Sequence, residues 1–154
     1  TCRIRYILDV FPDARFVHIH RDPYTIFQSM QRMVRIGVST AQLQRYDDDH
    51  VDEFILDRYR RLYDAYFEDR HLIPRERFCE IRYSDLDRNP VGEVRRVYET
   101  LGLGDVDRVL PRIERYLASL PDYRTYPYPE LPDTLRAEIA SRWGREFDAW
   151  GYPK

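Results

Sequence analysis

Arg21 and Ser29 stand eight residues apart across an Asp22-Pro23 step, and residues of these types at this spacing suit the holding of a phosphate group. The run 15–20 reads as a short buried strand that ends on Arg21. Asp22 then suits an N-cap, and Pro23 suits the first helical position, where its missing N–H costs nothing. A strand end beside a helix N-terminus gathers unpaired backbone donors and the positive end of the helix dipole. Arg21 adds a planar five-donor fork, and the Ser29 hydroxyl donates from the same helix. The competing reading is a structural strand–turn–helix with Arg21 in a surface ion pair. Chemistry alone gives the two readings equal weight.

Other chemistry-bearing residues weigh less. His18 and His20 alternate on one strand face, but a metal pair needs a third ligand and none is evident in the sequence. They are expected to be hydrogen-bonded strand histidines. The acidic run Asp47–Asp49 before His50 suits the start of a following helix better than a metal site. Tyr83 closes a second strand and reads either as a site residue or as a half-buried tyrosine with a satisfied hydroxyl. Asp85 is expected to brace the adjoining loop through Arg82 or Arg88. The aromatic stripe over 51–70 is core packing rather than a platform for stacked bases.

These residues need elements to position them. Apolar residues at helical spacing predict a helix over 3–11. A helix from Tyr24 to about Ile36 places Ile26, Phe27, Met30 and Met33 or Val34 on one inner face, and Gly37 is expected to end it. The longest helix spans 51–70, with Phe54, Ile55, Tyr59, Leu62, Tyr63, Tyr66 and Phe67 inward. Pro74 breaks it, 77–83 forms the second strand, and Asn89-Pro90 starts a helix that Gly102 closes. Helical structure restarts around Pro111 within 105–120. The segment 121–132, with four prolines and three tyrosines, is irregular. A last helix covers 133–150, with Leu135, Ile139, Trp143, Phe147 and Trp150 in one stripe. The order β–α–α–β–α–α–α makes the fold α/β, and two strands joined by a helical crossover lie parallel. Parallel sheets are wide and covered on both faces, so two strands alone imply further strands supplied from outside this chain.

Composition narrows the class. At 154 residues the chain is expected to form a single domain with a buried core. Hydrophobic residues at 43% and aromatics at 14% exclude general disorder. A formal charge of −2, from 25 basic and 27 acidic residues, gives no global field to recruit nucleic acid or an anionic membrane. Cys2 and Cys79 lack metal or redox spacing and read as free thiols of a reducing, cytoplasmic compartment, with Cys79 in a strand core. The sequence contains no signal peptide or long apolar run, so no membrane partner is expected for this segment.

Two segments carry a family resemblance. Phe11-Pro12-Asp13-Ala14-Arg15-Phe16, followed by Arg21-Asp22-Pro23 and Ser29, resembles the 3′-phosphate-binding segment of sulfotransferases that use 3′-phosphoadenosine 5′-phosphosulfate (PAPS). Tyr83, Asp85, Leu86, Pro90 and Leu101-Gly102-Leu103 resemble that family's later strand and the helix after it. The resemblance covers roughly 3–103. It implies the P-loop-NTPase-like parallel sheet of sulfotransferases, incomplete here with about two strands and mostly helical. It also implies Arg21 and Ser29 on the 3′-phosphate and Tyr83 on the adenine. Arg124 falls where the family often carries a loop closing over the nucleotide, though the family's Arg-Lys-Gly pattern is absent. A phosphate contact and an acceptor or subunit contact remain open for it.

The family's Gly-rich phosphosulfate loop, with its Lys, does not occur in this sequence, whose only lysine is Lys154. The resemblance therefore implies a C-terminal portion of a sulfotransferase catalytic domain, inactive alone, with the catalytic residues outside it. The implied donor is PAPS, with adenosine 3′,5′-bisphosphate as product, no metal, and a hydroxyl or amine acceptor. Two other readings compete. A nucleotide kinase-like domain needs a Gly-x-x-x-x-Gly-Lys-Ser/Thr loop, absent here. A non-catalytic α/β interaction module would retain only a relic nucleotide site.

Overall fold

The structure, a computed structural model, describes residues 3–41, 50–120 and 126–154. They divide into two compact units, one of Arg3–His20 with Glu68–Pro127 and one of Arg21–Phe67 with Tyr128–Lys154.

The first unit is built on a parallel ladder. Helix α1 (Ile4–Val10) leads through a turn into β1 (Phe16–His20), and β1 pairs in parallel with β2 (Phe78–Arg82). Register runs from Phe16 opposite Phe78 to His20 opposite Arg82. Facing partners point to one side, so Cys79 and Ile81 share a face with Val17 and Ile19, and His18 and His20 share the other with Glu80 and Arg82. Cys79 and Ile81 are buried against Leu101, with Leu86 and Val97 packed beside them. Val17 and Ile19 are about half exposed. Arg77 ties the start of β2 to the turn before β1, donating to the Pro12 carbonyl at 2.6 Å and pairing with Asp13 at 2.9 Å.

After β2 the chain turns at once into α4 (Tyr83–Arg88) and then α5 (Pro90–Leu101). The second strand therefore stops at Arg82, and Tyr83 opens a helix instead of closing a strand. The start of α5 is capped as the sequence predicts: the Asn89 side chain accepts from the Gly92 N–H at 3.0 Å, with Pro90 in the first turn. Gly102 ends α5 with φ 58°, and the Leu103 N–H reaches back to the Tyr98 carbonyl at 3.0 Å. A 3-10 turn (Val106–Arg108) and α6 (Leu110–Ala118) follow.

The second unit is helical. Helix α2 (Pro23–Ala41) passes through Gly37 without stopping, contrary to expectation. One mid-helix glycine costs only about 1 kcal/mol relative to alanine, too little to end a helix with a buried inner face. Phe27 is fully buried on that face with Ile26, Met30 and Val34 half-buried, whereas Met33 points outward. Helix α3 (Val51–Asp69) buries Val51, Ile55, Leu56, Tyr59, Tyr63 and Tyr66, while Phe54 lies outside that face and stands exposed under the Arg58 guanidinium.

The predicted last helix is two, α7 (Asp133–Arg142) and α8 (Gly144–Trp150), broken at Trp143 with φ −114° and ψ 23°. Trp143 is the centre of this unit. Its ring stacks on Tyr59 at 3.9 Å and meets Phe27 edge-on at 5.8 Å, and its indole N–H donates to the Leu56 carbonyl at 3.0 Å. Arg142 forks onto both carboxylate oxygens of Glu53 on α3.

Candidate functional site

The Arg21–Ser29 segment has the construction its sequence implies. Arg21 follows the last residue of β1 and is half exposed. Asp22 caps α2: its Oδ1 accepts the Thr25 N–H at 2.8 Å and the Thr25 hydroxyl at 2.9 Å. Pro23, buried, occupies the first helical position, where no N–H is needed. The helix axis thus begins directly beyond Arg21, with the positive end of the backbone dipole beside a guanidinium. Ser29 lies on α2, half-buried, in the same compact unit as Arg21. Arg21, the capped helix start and Ser29 thus follow one another along a nineteen-residue helix by chain order and one side-chain cap.

Tyr83 lies in the other unit, at the first position of α4, half-buried, directly after Arg82, the last residue of the ladder. Arg124 lies outside the described residues. So do Asp47–Asp49.

The polar face of the ladder forms a cluster. His18 Nδ1 sits 3.2 Å from Glu80 Oε1, across the strands. Arg70 reaches the other Glu80 oxygen at 3.5 Å. His20, also buried, lies 6.3 Å from His18 between ring centroids. Burial pushes His20 down to about 4, helped by His18 and Arg82 and opposed by the Glu80 and Asp85 carboxylates. His20 is therefore a neutral imidazole at physiological pH, able to donate and accept but not to act as a cation. The sequence reading expected hydrogen-bonded strand histidines, and His18 is one. It missed Glu80, although alternation in register with His18 would have found it. No group of three or more metal-ligating side chains occurs among the described residues.

The helical unit holds a buried acid. Glu146 in α8 is 2% exposed. Burial raises its carboxyl to about 7, Asp64 pushes in the same direction, and its own backbone N–H and Arg145 oppose.

Comparison with known proteins agrees with the motifs. The Sulfotransferase family model matches residues 1–107, and the chain belongs to the sulfotransferase family. It is 40% identical over 152 residues to the omega-hydroxy-beta-dihydromenaquinone-9 sulfotransferase Stf3 of Mycobacterium bovis, and equally to that of Mycobacterium tuberculosis. The alignment takes in 99% of this chain and 39% of each relative, so the chain spans about two fifths of their length. The crystal structure of sulfotransferase STF9 from Mycobacterium avium superposes with a TM-score of 0.81 at 24% identity, over 96% of this chain and 39% of that one. The fold is thus the sulfotransferase α/β fold, represented here by a two-stranded parallel sheet and a majority of helix. No helix among the described residues is long and apolar enough to cross a membrane.

Proposed function

We propose that this chain forms the nucleotide-holding part of a sulfotransferase catalytic domain that moves a sulfuryl group from PAPS to an acceptor hydroxyl. In this reading Arg21 and Ser29 bind the 3′-phosphate and Tyr83 contacts the adenine, while for Arg124 a phosphate contact competes equally with an acceptor or subunit contact. The observation that carries the proposal is the capped start of α2 directly behind Arg21, with Ser29 further along the same helix. The Asp22 carboxylate completes the helix start through Thr25, and a dianionic phosphate suits a helix N-terminus beside a guanidinium.

The reaction is an in-line displacement. The acceptor oxygen bonds to sulfur, the bond between sulfur and the 5′-phosphate oxygen breaks, and adenosine 3′,5′-bisphosphate leaves. The acceptor proton passes to a base. Such catalysis consists of positioning and of stabilising charge on the bridging and equatorial oxygens. This chain's part is to anchor the donor by its 3′-phosphate and base. The base and the 5′-phosphosulfate cradle belong to a larger catalytic domain. The half-exposed Val17 and Ile19 support that division, since they present apolar side chains on a sheet of only two strands among the described residues. The chain alone is accordingly inactive, and sulfuryl transfer by purified 1–154 would overturn this.

Likeness to the omega-hydroxy-beta-dihydromenaquinone-9 sulfotransferases favours a hydroxyl of a menaquinone-type acceptor.

Calorimetric titration with adenosine 3′,5′-bisphosphate tests the donor assignment, with 5′-AMP and Arg21→Ala as controls. Loss of one charge-assisted clamp costs roughly 1.5–3 kcal/mol, about ten- to over a hundredfold in affinity. Ser29→Ala costs less, about the 0.5–1.5 kcal/mol of a single neutral donor. Equal affinity for both nucleotides, or indifference to Arg21→Ala, removes the 3′-phosphate assignment. No binding by a folded chain favours an interaction module instead.

A further inference from the structure

We propose that the outer stripe of α6 and the turn before it, Arg108, Arg112 and Arg115 with Tyr116 and Leu120 beside them, docks on an anionic phospholipid surface. Val106 and Leu110 are buried, and Ile113 and Leu117 half-buried, on the inner side of this stretch. The Val109 carbonyl accepts the Arg112 N–H at 3.0 Å and the Ile113 N–H at 3.3 Å, so the 3-10 turn runs straight into the helix. Steps of four and three residues then place Arg108, Arg112 and Arg115 in one line, on the side away from Leu110 and Leu117. All three are exposed, as are Tyr116 at 63% and Leu120 at 38%.

The acids of this stretch are engaged elsewhere or turned away. Asp105 caps the 3-10 turn by accepting the Asp107 N–H at 3.0 Å, and Asp107 pairs with Arg95 of α5 at 2.8 Å. Glu114 stands about 160° of helical turn from Arg112 and about 100° from Arg115. Among the described residues no carboxylate pairs with Arg108, Arg112 or Arg115, whereas Arg5, Arg77, Arg96 and Arg142 each hold one. The formal charge of −2 over the whole chain conceals this, since residues 108–119 hold three arginines against one glutamate. A line of guanidinium groups on a convex helix face matches a plane of lipid phosphates, and the arginine stems cover apolar surface as they reach it. Tyr116 adds an amphipathic ring and Leu120 an apolar tip, which a headgroup layer accepts. An acidic peptide would instead need a groove to seat its apolar anchors, and here the apolar side chains project from the surface. None of these residues is assigned to the nucleotide, so the docking face stands or falls separately from the donor site.

Vesicle co-sedimentation of the chain, without nucleotide or acceptor, tests the inference. Mixed phosphatidylglycerol–phosphatidylcholine vesicles are expected to bind it more tightly than pure phosphatidylcholine vesicles, and added salt to weaken the binding. Arg112→Gln with Arg115→Gln should weaken it about thirtyfold. Tyr116→Ser with Leu120→Ser should weaken it about fivefold. Arg112→Lys with Arg115→Lys keeps both charges and should keep most of the binding, because a plane of phosphates needs charge rather than a fork. Arg60→Gln with Arg61→Gln removes the same charge from α3, where both groups pair with Asp57, and should leave binding unchanged. Circular dichroism checks folding, and Arg108→Gln alone, in the turn ahead of the helix, gives the readout should a double variant fail to fold. No preference for the anionic vesicles, binding that survives replacement of Arg112 and Arg115 by Gln, or equal loss in the α3 control would overturn the proposal. Binding to poly-glutamate in place of the vesicles would overturn it too, and would assign the stripe to an acidic protein segment.

Discussion

Asp22 takes two hydrogen bonds from one residue, Thr25, with the backbone N–H at 2.8 Å and the hydroxyl at 2.9 Å converging on the same carboxylate oxygen. The carbonyl of Asp22 meanwhile accepts the Ile26 N–H at 3.0 Å. The residue between Arg21 and Pro23 is therefore held at both its backbone and its side chain. The start of the helix that carries Ser29 is set there.

Replacing Asp22 by Ala should consequently do two things. Loss of an N-cap costs roughly 0.5–2 kcal/mol of stability, readable in urea unfolding. Affinity for adenosine 3′,5′-bisphosphate should fall several-fold even though Asp22 itself makes no contact with the nucleotide in the proposed site. Asp22→Asn keeps the accepting oxygen and should retain most of both. An Asp22→Ala variant with full stability and full affinity would show that the cap does not organise the segment.

The sequence was legible where local chemistry and tertiary packing agree. Asn89, Pro90 and Gly102 mark both ends of α5 because each satisfies a backbone requirement that no distant contact can change. Parallel pairing of 16–20 with 78–82 follows from a crossover too long for a hairpin. The misread elements are those decided by packing. The stripe Leu135, Ile139, Trp143, Phe147, Trp150 continues unbroken through the break at Trp143, so periodicity alone predicts one helix where the buried indole, reaching the Leu56 carbonyl, accompanies two. The six residues of α4 are mostly polar and too few to show a period. At the candidate site, the strand end at His20 and the capped helix start at Asp22 were legible from residue types, whereas the buried Glu146 was not. Glu146 is three residues after Trp143 and four before Trp150, a position on the apolar stripe that could have been recognised as buried.

That acid makes the helical unit sensitive to pH. Asp64 and Tyr59 of α3 lie near Glu146, with Arg145 the nearby cation. Its carboxyl sits at about 7 in the folded chain against an ordinary 4.5, so the folded form holds the proton more tightly than the unfolded one. The contribution is fully present below about pH 4.5 and is lost as pH rises through 7. The loss is of order 3 kcal/mol. Thermal unfolding followed by the fluorescence of Trp143 and Trp150 should show it between pH 5 and 8. Glu146→Gln should flatten that slope and raise stability at the alkaline end; an unchanged slope would mean that the carboxyl is solvated.

His20 gives the opposite dependence in the strand unit. Its ring is held at about 4 against an ordinary 6.5, so the unfolded chain binds the proton more readily between those values. The stability is present above pH 6.5 and is lost as pH falls towards 4, again by an amount of order 3 kcal/mol. The groups around the ring decide the size. Glu80 and Asp85 pull the value up, and without Glu80 the depression should deepen, because burial, His18 and Arg82 all disfavour the cation. Proton NMR of the His20 ring should show no titration from pH 8 to about 5. Glu80→Gln should move any onset lower still and release His18 from its carboxylate partner across the ladder. A His20 resonance that titrates near 6.5 would mean that water reaches the ring. The end of the ladder at His20 and Arg82 would then be less tightly packed than its register implies.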